Sequence, residues 1–179
     1  MAQLKNFNTA LYVMRLDAGC KYDGLLKIGI SNNVERRAKE VGSVKVEWND
    51  DYRAPRAVVM ATEMLAQAYA YRKVGRPKNY RQALPVRSGS SEFFNTDNLN
   101  QARGFIYAAR GRTNKIATST GFYNSKLDDL LDFSKLTETV IEIINYVKGI
   151  FKAMKKRLPK SFNMEVTRIY QTLEQEKAA

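Results

Sequence analysis

Residues Leu11 to Ile30 constrain the fold most strongly. Two short apolar runs, "LYVMRL" and "LLKIGI", are joined by "DAGCKYDG", with two glycines and two aspartates. Runs of this length, rich in strand formers and bounded by turn residues, are strands. Two strands so connected form an antiparallel hairpin. "SVKVEW", Ser43 to Trp48, alternates, with Val44, Val46 and Trp48 expected on one face of a third strand. Between hairpin and third strand, "NNVERRAKEVG" reads as a helix from Val34 to Val41. Asn32 and Glu35 form a capping box, and Gly42 ends the helix.

A longer helix follows in Ala54 to Gly75, with Pro55 suited to its first turn and Val58, Thr62, Leu65 and Tyr69 on one mostly apolar face. "RPKNYRQALPVRSGSS" reads as a basic loop, and "EFFN" leads to a helix over about 99–110. Residues 110–125 are polar and turn-rich, the expected linker. Beyond it, Leu136, Val140, Ile143, Val147, Ile150 and Met154 step by four and three, a heptad seam that Pro159 stops. The seam packs either against its own domain or against a second copy, a possible homo-oligomer through 136–154. A last short helix aligns Val166, Ile169, Tyr170 and Leu173. The expected fold class is therefore α+β: a small, mainly antiparallel three-stranded sheet flanked by helices, then a helical C-terminal extension. The expected division is 1–109, linker 110–125 and a helical region 126–179.

Among 179 residues the net charge is +12, and the isoelectric point is about 9.8. Such an excess points to a polyanion, nucleic acid before anionic membrane. The one cysteine, Cys20, allows neither a disulfide frame nor a zinc cluster and fits a reduced, cytoplasmic setting. The N-terminus has no signal-peptide pattern, and no apolar stretch is long enough to span a bilayer. The chain contains no histidine, which excludes His-based acid–base chemistry, Ser-His-Asp triads and His-ligated metals. A catalyst here must use Tyr, Lys, Arg and carboxylates.

Several residues stand out. Arg36 and Arg37 occupy the first turn of a helix, where the dipole favours acids; they either form a fork of donors for phosphate or pair with Glu40 in solvent. Glu63 is the sole acid from Tyr52 through Ser91, on a semi-apolar helix strip within a strongly basic stretch. A carboxylate there needs a charged partner, either a divalent cation or a nearby arginine. Tyr12 on the first strand is either core or a base whose pKa neighbouring Lys27 and Arg37 would lower. Arg72, Lys73, Arg76, Lys78 and Arg81, with Tyr71 and Tyr80 interleaved, form either a DNA-binding surface or a solvated loop.

In order, "LYV", "KIG", an arginine ten positions after Lys27, and a helix with a lone glutamate resemble the GIY-YIG endonuclease superfamily. The likeness is to its phage-associated branch with lysine in place of the second tyrosine, where an acid–aromatic motif follows, here "SSEFFN". The resemblance covers about 10–95. It implies Tyr12 as the base that activates water, Lys27 in place of the second tyrosine, and Gly29 as the glycine of close approach. It further implies Arg37 as the phosphate-steadying arginine, Glu63 as the ligand of one Mg²⁺ or Mn²⁺, and Glu92 and Asn95 as late-motif residues. The implied function is a metal-dependent DNA endonuclease of phage or mobile-element origin, acting in a bacterial host cytoplasm, or a non-catalytic DNA-binding relative. A third reading from the residues is an interaction protein that pairs through its heptad helix.

Overall fold

The computed structural model describes residues 9–124 and 132–178. The start of the expected first domain (1–8), the last linker residue, the first part of the helical region (126–131) and residue 179 lie outside the described residues. The architecture is α+β. Strands β1 (Ala10–Leu16), β2 (Leu26–Ser31), β3 (Val44–Asp51) and β4 (Phe93–Phe94) form one antiparallel sheet in the order β3-β1-β2-β4. The sheet thus has four strands, not the expected three. The fourth is two residues long, and its Phe93 and Phe94 pair with Lys27 and Leu26. Too short for a periodicity signal, it is held by burial of both rings.

β1 is an inner strand buried on both faces, hence its nearly unbroken apolar run. Leu11 and Val13 face the main core, whereas Tyr12, Met14 and Leu16 face a smaller cluster with Val41, Leu84 and Phe93. β3 departs from the expected alternation. The β1–β3 register shifts between Val13, opposite Trp48, and Met14, opposite Val46, leaving Glu47 as a bulge residue. Trp48 therefore packs against the main core and Val44 against the smaller one, on opposite faces.

Helix α1 (Val34–Val41) has the expected bounds but a different cap: the Asn33 side chain, not that of Asn32, accepts from the Arg36 N–H at 2.9 Å. Asn32 instead accepts from Thr9 Oγ1 at 2.8 Å and Arg56 Nη1 at 3.0 Å, tying the end of β2 to the next long helix. That helix, α2 (Arg56–Lys73), is buried at every residue from Ala57 through Ala68, not along one face. Its alanines and methionines admit neighbours on all sides, and it lies against β2 and three later helices. The basic loop contains a single helical turn, α3 (Tyr80–Ala83).

The first of those later helices, α4 (Leu99–Ser119), is capped by Asn98 and continues through most of the expected linker. The polar letters there conceal a buried face of Thr113, Ile116 and Ala117, and Thr113 shares a 2.9 Å hydroxyl hydrogen bond with Thr62 of α2. α5 (Phe133–Ala153) carries the heptad seam, and α6 (Lys160–Ala178) follows Pro159. Leu136, Val140, Ile143, Val147 and Ile150 are buried in the core that also holds Val58, Leu65 and Leu11. The seam is consumed within the chain, which removes the face on which the homo-oligomer expectation rested. α6 buries Phe162, Ile169 and Leu173, while Tyr170 is exposed. Ile143→Ala is expected to cost about 2–5 kcal/mol of stability, read as a lower urea midpoint at unchanged slope. No helix among the described residues is long and apolar enough to cross a membrane.

Candidate active site

Tyr12 stands directly opposite Gly29 in the β1–β2 register. Its ring lies across the glycine: a Cβ there would sit 2.9 Å from Cε2 and closer still to the hydroxyl. The glycine thus makes room for a phenol, where the family resemblance implied room between strand and helix. The ring is fully buried, but its outer edge borders a cavity. Burial and then Glu63 push the phenol above its ordinary range, while Arg37 works in the opposite direction. The expected lowering by cationic neighbours is therefore overturned, because desolvation of a buried phenolate outweighs a single guanidinium.

Arg37 projects from α1, with Nη1 3.3 Å from Glu40 Oε2 and 3.4 Å from Ser88 Oγ. Arg36 is exposed and pairs loosely with Glu40 at 3.5 Å. Lys27 is completely buried, with Nζ paired to Glu92 and 5.5 Å from the Tyr12 ring centroid. Burial pushes its ammonium down from the usual range, and Glu63 opposes this. Gly89 completes the arrangement. It adopts φ +70°, and a Cβ there would fall 2.9 Å from Lys27 Nζ and 3.1 Å from Glu92 Oε2.

Glu63 is 6% exposed and accepts from Gln67 Nε2 at 3.3 Å; the same amide donates to Ile28 O at 3.1 Å. Among the described residues it has no ion pair with a basic side chain. Burial, then the Glu165 carboxylate, push its pKa up to about 8 against Lys27 and Arg37. A buried carboxylate so poorly compensated fits a cation.

Two cavities, of about 480 and 320 Å³, meet at this point. Arg37, Glu63, Glu92, Glu165 and Arg168 line both; Tyr12, Arg36 and Arg56 line the smaller, and Arg76 and Arg81 the larger. The fold therefore gathers Tyr12, Lys27, Arg37, Glu63 and Glu92 into one region. Asn95 is exposed beside Gly75 and borders neither cavity, and the same is true of the exposed Arg72, Lys73 and Lys78. Arg76 is half-buried among Tyr71, Tyr80, Phe94 and Phe162 and donates to Ser161 Oγ at 3.2 Å, so it braces a wall more than it faces solvent.

Glu165 and Arg168 come from α6, and Arg56 from the start of α2. Nothing local in the sequence singles them out; only the packing of α6 on α2 brings them in. Among the described residues no group of three or more His, Cys, Asp or Glu could hold a metal. The donors available to an ion are the hard oxygens of Glu63 and Glu165, which suits Mg²⁺ or Mn²⁺, ions often held by one or two carboxylates with several waters retained. The residues fit such an ion and would suit a thiophilic one poorly. No family model, curated protein or solved structure matches the chain.

Proposed function

We propose that the protein is a DNA endonuclease that hydrolyses phosphodiester bonds with one divalent ion, as the likeness to GIY-YIG nucleases implies. The observation that carries this reading is the convergence of Tyr12, Arg37 and Glu63 on a cleft lined by arginines and glutamates together. A bound Mg²⁺ or Mn²⁺ would polarise a phosphate oxygen and stabilise the leaving oxygen. Glu63 would hold it, with Glu165 nearby. Arg37 offers N–H donors to the phosphoryl oxygens as charge develops on them. Tyr12, kept protonated by burial, donates a hydrogen bond to water or phosphate. It becomes more acidic, and closer to a usable base, when the charge of Glu63 is offset. Lys27 holds Glu92 and the turn around Gly89, a positioning role rather than that of a base.

A second reading keeps the cleft as a DNA-binding site without cutting, in a protein of phage or mobile-element origin. It is favoured by the raised phenol pKa and by the pairing of Lys27. Plasmid nicking with and without Mg²⁺ or Mn²⁺ separates the two. Metal-dependent nicks lost in Glu63→Gln support the nuclease; salt-sensitive retention of intact DNA supports the binding module.

A further inference from the structure

We propose that the cleft receives one unpaired DNA strand, passing from the Arg36–Arg56 end, over Glu63, to the Arg81 end. The proposal takes DNA as the ligand from the reading above. Its first support is the arrangement of cations. Arg36 and Arg56 belong to the smaller cavity, Arg76 and Arg81 to the larger, and Arg37 and Arg168 to both. Glu40, Glu63, Glu92 and Glu165 line the same cavities, with Glu40 paired to Arg36 and Arg37 and Glu165 to Arg168. Arg56 at one end and Arg81 at the other have no ion pair among the described residues, and each offers a guanidinium to a phosphate flanking the central one.

The second support is enclosure. α1 supplies Arg37 and α6 supplies Glu165 and Arg168, so the site is a walled recess rather than an open basic face. Each cavity lies within the roughly 300–1,000 Å³ of small-ligand pockets, the scale of a nucleotide. A duplex is stiff, and bending it into a recess costs energy. A single strand is flexible enough to enter one nucleotide at a time. Met164, 51% exposed on the wall of the larger cavity, gives a base an adaptable apolar surface. A plain basic surface would behave in the opposite way, because the duplex carries the denser charge.

The test is fluorescence anisotropy of the full chain in EDTA with three labelled ligands: a single strand, the blunt duplex of the same sequence, and a duplex with an unpaired arm. The single strand and the armed duplex are expected to bind about tenfold more tightly than the blunt duplex. Arg168 is well exposed, at 64% of its side chain, and pairs with Glu165, so Arg168→Gln, which adds no further acid beside Glu63 and Glu165, is expected to fold and to abolish the preference. Arg81→Gln, at an exposed residue with no ion pair among the described residues, is the second variant and should weaken the preference in the same direction. Equal or tighter binding of the blunt duplex, or a variant that weakens all three ligands alike, overturns the inference. Metal-dependent cutting of blunt duplex with no strand preference overturns it and leaves the nuclease reading standing. Strand preference without cutting upholds it and removes the nuclease.

Discussion

Glu63→Gln is expected to lower metal-dependent nicking by about 10²–10³-fold and, at the same time, to make the protein more stable. Both effects come from one buried carboxylate. The folded pKa of about 8 lies above the ordinary value of 4.5. The folded state therefore retains a proton that the unfolded chain has released as pH rises between those values. Stability falls across that window and levels off above it. Glutamine does not titrate, so the variant lacks this decline. Its advantage in thermal midpoint should be small near pH 4.5, grow towards pH 8, and then hold steady. Added Mn²⁺ should raise the midpoint of the wild type at about pH 8 and leave that of the variant unchanged. Calorimetry over this range is the check; superimposable profiles for the two proteins would count against a strained carboxylate at residue 63.

Gly29→Ala comes next in expected size. The added methyl would overlap the Tyr12 phenol, which has the sheet on one side and a buried cluster on the other. Overpacking of this kind costs about 1–3 kcal/mol. Moving the ring also carries its hydroxyl away from Arg37 and Glu63, so nicking should fall with stability. A second substitution separates local overlap from a general strand defect: Tyr12→Ala creates the space that the added methyl needs. The double variant should be more stable than the sum of the two single changes predicts, by about 1 kcal/mol or more. Strict additivity would show that the ring and the glycine do not meet as described.

The site residues on the first half of the chain were legible because chemistry and local pattern coincide there. A glycine interrupts an apolar strand, an arginine pair lies in the first turn of a charged helix, and one acid stands in a basic stretch. The expectation of an α+β fold with an antiparallel sheet holds for the same reason, since β1, β2 and α1 are short and well punctuated. Other features depend on contacts that no window contains. The bulge at Glu47 inverts half of β3 without altering its alternating letters. The polar run after Arg110 is helical because Thr113 and Ala117 are small enough to lie against α2. The apolar run around Tyr12 allowed a core position, but nothing local weighs the burial of its phenol against the cationic neighbour. Glu165 and Arg168 look like an ordinary surface pair at helical spacing until α6 docks.

The enclosure of α2 has a consequence for how the molecule is made. The helix that carries Glu63 obtains two of its neighbours, α5 and α6, from much later in the polypeptide. During synthesis the amino-terminal portion leaves the ribosome with a mostly apolar cylinder still missing those partners, and an uncovered surface of that kind invites association with other chains. The walls of the cleft are therefore completed only when α6 is translated, because Glu165 and Arg168 line both cavities.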